Sequence, residues 1–136
     1  MKDVIGRLIL AYRRELDLYA EILELARQGA EIVRHCRPLG ELNAVNERKQ
    51  DLLAEIASID RTIADDKHAW REDSAATASS QGAELDKLLR RLTDRIEQIL
   101  LAERETDRWI VQGAGVTEAE PETDPNLSAQ AMRTTP

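Results

Sequence analysis

The sequence predicts an all-α protein, an antiparallel bundle of three long helices with coiled-coil-like packing. Its 136 residues include no Phe, two Tyr and two Trp, so Leu, Ile and Ala supply most of the apolar surface. These are helix formers, whereas strands favour aromatic and β-branched residues. The chain has six Gly and four Pro, and no Pro lies between Pro38 and Pro121. A sandwich, a barrel or an α/β sheet needs more turns than this.

The first helix is predicted over residues 3–37. Its apolar seam steps by four and three residues without a miss, through Ile5, Ile9, Tyr12, Leu16, Tyr19, Leu23, Ala26, Ala30 and Val33. A second stripe of the same spacing runs from Val4 to Ile32 and is interrupted by Glu15 and Gly29. Together the stripes cover roughly 160° of the helix, which is enough to contact two neighbours.

The second helix is predicted over residues 41–73, after a break at Pro38-Leu39-Gly40 in which Gly40 relieves the turn. Lys49 and Asp66 interrupt its apolar seam. If the two helices fold back at this break, Lys49 comes to lie near Gly29 and Asp66 near Tyr12.

The third helix is predicted over residues 83–111, after a small polar linker at 74–82. Its seam weakens at Glu103 and Thr106. Residues 1–112 therefore form one helical domain. Residues 113–136 carry Gly, Pro and acidic residues with little apolar surface, and they are predicted to be a disordered acidic tail.

The sequence contains no arrangement of residues that predicts catalysis, a cofactor or a metal site. His35, Cys36 and His68 are the only borderline or soft metal ligands, and the two histidines lie near opposite ends of the predicted hairpin. No base accompanies Cys36, and glycine-rich phosphate loops are absent. We therefore predict that the protein is not an enzyme.

The charge balance restricts the partners. A net charge of −7 opposes binding to nucleic acid or to an anionic membrane surface. The sequence has no run of 18 apolar residues, so no membrane span is predicted. A single cysteine fits a cytoplasmic location. The expected partner is another protein.

Candidate protein-binding residues are apolar side chains of the second stripe of the first helix, and apolar side chains that lie off the main seam or at the weak end of the third helix. On the first helix and the third helix these are Leu18, Ile22, Leu25, Ile32, Leu88, Leu100, Leu101, Trp109 and Ile110. Packing of the third helix inside the bundle is the alternative explanation for the same residues.

The layout resembles the FlgN-type flagellar export chaperones. The resemblance covers most of residues 1–112 and includes the long first helix, the charged segment 47–56 with Lys49 ahead of Leu52-Leu53, and the late segments 88–92 and 99–105. In that family the last helix often ends in a segment that contains Asn, whereas this chain has Thr106-Asp107-Arg108-Trp109 at that place. Substrate recognition there is expected to differ in detail.

The resemblance implies a cytoplasmic chaperone, monomeric or weakly self-associating, that binds an amphipathic terminal helix of a hook-associated flagellar protein and prevents its premature assembly. One hypothesis is that Glu103 and Thr106 loosen the third helix, so that the partner helix competes for the stripe through Leu18 and Ile22. The alternative function is a structural or adaptor bundle that self-associates through the same stripes, without catalytic activity.

Overall fold

In the computed structural model the described residues, 1–118, form five helices; at 74, 77 and 113–118 only the backbone is described. The helices are α1 (Lys2–Arg34), α2 (Leu39–Thr62), α3 (Ala64–Glu72), α4 (Ser74–Thr77) and α5 (Ser80–Glu118). The predicted all-α bundle with three long helices is confirmed. The second predicted helix is divided into α2 and α3, and α4 is a short addition within the predicted linker.

The helix α1 is the centre of the bundle. The α2 helix runs antiparallel to it, and α5 runs parallel to it, as the ion pair Arg13–Glu84 near one end and the stacking of Arg34 over Trp109 near the other require. Backbone contacts are extensive between α1 and α5 and between α1 and α2, whereas α2 and α5 approach each other marginally at most. Both flanking helices are therefore held mainly by α1.

The turn between α1 and α2 is built differently from the prediction. The amide of Arg37 donates to the Ile32 carbonyl and that of Cys36 to the Val33 carbonyl, at 3.0 and 3.1 Å. Cys36 takes the left-handed backbone conformation, with φ of 53°. This is a Schellman cap, with cysteine where glycine is usual. Gly40, predicted to relieve the turn, lies within α2.

Because the chain turns earlier than predicted, the observed register of the hairpin differs from the predicted register by one to two helical turns. A side chain at Gly29 would face Leu42 and Val45 rather than Lys49. Asp66 is bound by Arg7, whose Nε and Nη2 donate to the two carboxylate oxygens at 2.8 and 3.0 Å, and not by Tyr12. Because α1 ends at Arg34, the hairpin axis lies closer to the N-terminus than Pro38 suggested.

A ladder of three ion pairs joins α1 to α2 and α3 along one edge. Its α1 members are spaced by seven residues, the repeat expected at the flank of a heptad seam. The pairs are Arg7–Asp66 at 2.8 Å, Arg14–Glu55 at 2.7 Å and Glu21–Arg48 at 2.9 Å. The guanidinium of Arg7 holds the pKa of Asp66 below its ordinary value. Each pair has complementary charges in the observed register.

The second predicted helix is broken at Ile63, which separates α2 from α3. The Thr62 hydroxyl donates back to the Ser58 carbonyl at 3.0 Å, a bond that bends helices. The side chain of Ile63 is buried in the core. After the break, α3 packs against the N-terminal part of α1, where Asp66 pairs with Arg7.

Side-chain caps explain the start of the last two helices. A carboxylate oxygen of Asp73 accepts from the Ala76 amide at 2.9 Å at the beginning of α4. The hydroxyl of Ser79 accepts from the Gly82 amide at 3.0 Å, so α5 begins at Ser80, earlier than predicted.

The backbone of α5 continues through Glu118, beyond the predicted end at Val111. The disordered-tail prediction otherwise falls on residues 119–136, which lie outside the described residues. Within residues 1–118, no helix has the length and apolar character needed to cross a membrane.

The core is concentrated near the N-terminal half of α1. The larger of two buried clusters joins α1 to Ile63, Ala76 and the start of α5, and the smaller one joins Leu18 and Ile22 to Leu52 and Ile56 of α2. Toward the α1–α2 turn, the α1 side chains that face the core become small, including Ala26, Gly29 and Ala30.

Candidate functional site

A groove between α2 and α5 is lined mainly by apolar side chains, and we call it the apolar groove. Its floor is α1 and its volume is about 400 Å³. The groove exists because α2 and α5 both pack on α1 while their backbones stay apart. Its lining residues are Tyr19, Ile22, Lys49, Gln50, Leu53, Ile96, Ile99, Leu100 and Glu103.

The edges of the apolar groove carry large apolar side chains that are exposed to solvent. The exposed fraction is 42% for Leu53 on α2 and 51% for Leu100 on α5, and Ile96 is also exposed. Single exposed leucines are common, but residues that face each other across a groove suggest a contact surface.

An ion pair crosses the groove at the end nearer the α1–α2 turn. The Lys49 ammonium donates to the Glu103 carboxylate with an Nζ–Oε1 distance of 2.5 Å, and the Lys49 side chain is only 13% exposed. Lys49, an interruption in the apolar seam of the sequence, therefore links α2 to α5. Glu103, predicted to loosen the third helix, is the partner that this ammonium requires.

Thr106, the other residue predicted to loosen the third helix, is buried. Its hydroxyl donates to the Ala102 carbonyl at 3.2 Å and lies 4.0 Å from the position of a Cβ at Gly29. Together with Leu42 and Val45 it borders the space left by that glycine, so it contributes to the contact between α1 and α5.

A second cavity continues the apolar groove toward α3, and we call it the polar chamber. It has a volume of about 240 Å³ and shares Tyr19 and Ile96 with the groove. The remaining lining residues are Tyr12, Glu15, Asp60, Lys67, Trp70, Arg71, Leu89, Leu92 and Thr93.

Glu15 is the most unusual residue of the polar chamber. It is 4% exposed, and burial, followed by a hydrogen bond to the Asp60 carboxylate and the charge of that carboxylate, raises its pKa to about 8. At neutral pH this carboxyl group is therefore protonated. Its Oε2 atom and the indole Nε1 of Trp70 are buried without a hydrogen-bond partner among the described residues.

The two tyrosines beside Glu15 are also affected. Burial, and secondarily the charge of Glu15, raises the pKa of Tyr12 to about 12 and that of Tyr19 above its ordinary value. Both phenols stay neutral at physiological pH. The chamber thus combines neutral aromatic rings with two carboxyl groups and two basic side chains, those of Lys67 and Arg71.

The predicted protein-binding residues divide into two groups. Leu18, Ile22, Ile32 and Leu88 are buried and Leu25 is half-buried, so they pack within the bundle. Leu100, Leu101 and Ile110 are exposed, and Trp109 is half-buried. Of all nine, only Ile22 and Leu100 line the apolar groove.

Trp109 is held at the far end of α5. The guanidinium carbons of Arg34 and Arg108 each lie 5.9 Å from the centre of its ring, and its Nε1 donates to Glu105 at 3.4 Å. This arrangement ties α5 to the end of α1. It lies away from the apolar groove.

Sequence reasoning missed Leu53, Ile96, Asp60 and the role of Glu15. The sequence did carry one signal, because Glu15 interrupts an otherwise apolar stripe of α1. The sequence contained no signal for the other three residues. Their place at the two cavities depends on which faces of α2 and α5 remain apart, and this is determined by the tertiary structure. No group of three or more His, Cys, Asp or Glu within the described residues is arranged to hold a metal ion.

Comparisons with protein-family profiles, with curated proteins and with solved structures found no significant match to this chain.

Proposed function

We propose that the protein is a helix-binding chaperone of the FlgN type, whose apolar groove receives an amphipathic terminal helix of a hook-associated flagellar protein. The proposal assigns no catalytic role to the bundle. The observation that supports it is the groove between α2 and α5, whose edges expose Leu53, Ile96 and Leu100.

The arrangement of the helices favours a helical occupant. In a four-helix bundle each helix packs on two neighbours and faces the fourth across the core. Here α1 packs on α2 and α5, which make at most marginal backbone contact with each other. A fourth helix lying in the groove would contact both of them and complete this arrangement.

The chemistry of the groove favours an amphipathic helix. Apolar side chains from three helices line its middle, and polar groups of Gln50, Lys49 and Glu103 lie on its boundary. A helix with apolar residues at positions i, i+3, i+4 and i+7 presents a matching apolar face with polar flanks.

Binding of a terminal peptide from a secreted hook–filament junction protein tests this function. The variants Leu53→Asp and Leu100→Asp place a charge in the groove at exposed positions, so the bundle should still fold. Leu10→Asp is the matched control, because Leu10 is 68% exposed and lies on α1 outside the groove. Isothermal titration calorimetry should show at least tenfold weaker binding for both groove variants and unchanged binding for the control.

Equal binding by all three variants would contradict a groove-mediated interaction. Self-association is the alternative outcome, and sedimentation at several concentrations detects it. If the wild type forms a stable dimer that Leu100→Asp dissociates, and no junction-protein peptide binds, then the protein is a structural or adaptor bundle.

A further inference from the structure

We propose that the polar chamber binds the ammonium or guanidinium group of a Lys or Arg side chain carried by the helix that occupies the apolar groove. The inference rests on the proposed function for the identity of the occupant. It adds the chemistry by which the groove distinguishes one amphipathic helix from another.

One side of the polar chamber has the groups that bind an organic cation, and the basic residues Lys67 and Arg71 lie on the α3 side. Three of the four aromatic residues of the chain, Tyr12, Tyr19 and Trp70, line it together with Glu15 and Asp60. Aromatic faces attract ammonium and guanidinium groups, and carboxylates accept their hydrogen bonds. A water molecule occupies roughly 30 Å³ of liquid, so about 240 Å³ can hold the end of a long side chain.

Glu15 has an atom available for such a ligand. More than nine-tenths of the residue is buried, its Oε2 receives no hydrogen bond from an N–H or hydroxyl group of the described residues, and its acid proton is shared with Asp60. A buried carboxyl group whose partner is a second carboxyl group lowers stability, so its position on the apolar face of α1 suggests a role in binding. An incoming cation replaces the shared proton as the partner of the two carboxyl groups.

The charged groups around Glu15 come from two other helices. Asp60 of α2 is acidic, and Lys67 and Arg71 of α3 are basic. Within the described residues neither cation forms an ion pair with Glu15 or Asp60. The chamber residues of α5, Leu89, Leu92, Thr93 and Ile96, carry no charge. An entering cation therefore meets the two carboxyl groups from the α5 side without a basic residue on that helix.

Binding of the cation is coupled to release of a proton. In the unoccupied chamber the pKa of Glu15 is about 8, so the carboxyl group holds its proton at pH 7. A cation beside it favours the carboxylate, and the proton passes to the buffer as the ion pair forms. Affinity for the cation is therefore expected to increase as the pH rises from 6 to 8.

The distance between the two cavities defines the spacing in the partner. Ile99 lies in the apolar groove and Leu92 in the polar chamber, two turns apart on α5. Two turns correspond to about 10 Å. A helix that lies along α5 would therefore carry its Lys or Arg about seven residues from a large apolar residue that enters the groove.

The chamber can be tested with n-butylammonium, and n-butanol serves as the uncharged probe of similar shape. NMR of the indole NH groups should show a saturable shift at Trp70 and none at Trp109. Glu15→Gln should weaken the binding at least fivefold and abolish proton release, whereas Glu97→Gln, an exposed substitution on α5, should change neither. Equal effects of the two probes on Trp70, or unchanged binding by Glu15→Gln, would overturn the proposal.

A displayed library of 18-residue amphipathic helices, with one position randomised seven residues from a fixed Leu, tests the same chamber in the occupied groove. Selection on the wild type should enrich Lys and Arg at that position, and selection on Glu15→Gln should not. Binders that depend on Leu100 but show no basic preference would refute the cation site alone. Binders that are indifferent to Leu100→Asp would instead refute the groove.

Discussion

At the level of residues, Glu15 affects folding and binding in opposite ways. Its burial lowers the stability of the folded protein, whereas its carboxyl group is the proposed partner of a cation. An unfolded chain ionises this side chain near its ordinary pKa of 4.5, whereas the folded protein ionises it near pH 8. Between these values the folded state binds more protons than the unfolded state, so the free energy of unfolding decreases as the pH rises from about 4.5 to 8. Below that window Glu15 contributes no pH dependence.

Replacing Glu15 by Gln should therefore stabilise the protein at pH 7, by about 1–3 kcal/mol, because the amide stays neutral in both states. The gain should shrink below pH 5. Urea unfolding of wild type and variant at pH 5, 7 and 8.5 measures it, and Glu97→Gln controls for the loss of one surface charge. A constant difference between the curves would show that Glu15 does not titrate in this range.

Cys36 carries backbone strain that a glycine would remove. Its φ of 53° lies in the left-handed region, which costs a non-glycine residue roughly 1 kcal/mol. The side chain is exposed, so its removal loses little packing. Cys36→Gly should raise the midpoint of thermal unfolding by a few degrees, and Cys36→Ala, which keeps the strain, should not.

At the level of helices, the ion-pair ladder between α1 and the second arm of the hairpin explains the register. Apolar seams that repeat every seven residues can pair in several registers that differ by whole turns. Only some of these place opposite charges side by side. In the observed register Arg7, Arg14 and Glu21 each face a residue of opposite charge.

Reversing the charge of one residue in the ladder should therefore lower stability, and reversing the charge of its partner as well should restore it. Arg14→Glu places two carboxylates together and should cost about 0.5–1 kcal/mol, because the pair is exposed. Adding Glu55→Arg should restore most of the loss. Arg90→Glu is the control, since Arg90 is exposed on α5 and forms no ion pair among the described residues. Additive effects of Arg14→Glu and Glu55→Arg in urea titrations would argue against a direct interaction.

At the scale of the whole molecule, two contacts beyond the main core hold the distal part of α5 to the bundle, in addition to the stacking of Arg34 over Trp109. Lys49 joins it to α2 through Glu103, and Thr106 packs beside Gly29 of α1. The sequence suggested the opposite, that Glu103 and Thr106 loosen this end. Glu103 is matched by Lys49, which the folded arrangement brings near, whereas the Thr106 hydroxyl is satisfied by the Ala102 carbonyl of its own helix.

The double variant Glu103→Leu with Thr106→Leu should accordingly lower stability. Removing Glu103 leaves the poorly exposed Lys49 ammonium unpaired, which costs about 1–3 kcal/mol. A leucine at 106 is larger than the space beside Gly29 accommodates without movement. Thermal unfolding measures the loss, and Lys49→Met should recover part of it in the Glu103→Leu background. A higher midpoint for the double variant would instead support the loosening hypothesis.

The sequence predicted the helical class, the three long segments and the breadth of the α1 apolar face, because these depend on local periodicity. It did not predict the Schellman turn at Cys36 or the break at Ile63, since both involve residues with no strong turn preference. The groove could not be predicted from the sequence, for another reason. Whether Leu53 and Ile96 meet across a cleft or pack together depends on how far apart α1 holds α2 and α5.

The positions of the two tryptophans have a practical consequence. Trp70 lines the polar chamber, Trp109 lies near the end of α1 under Arg34, and the two are separated by roughly 30 Å along the bundle. Since the chain has no other indole, the emission of one tryptophan can be measured alone after the other tryptophan is replaced by Phe. Fluorescence from one protein can thus report separately on what enters the chamber and on fraying at the opposite end.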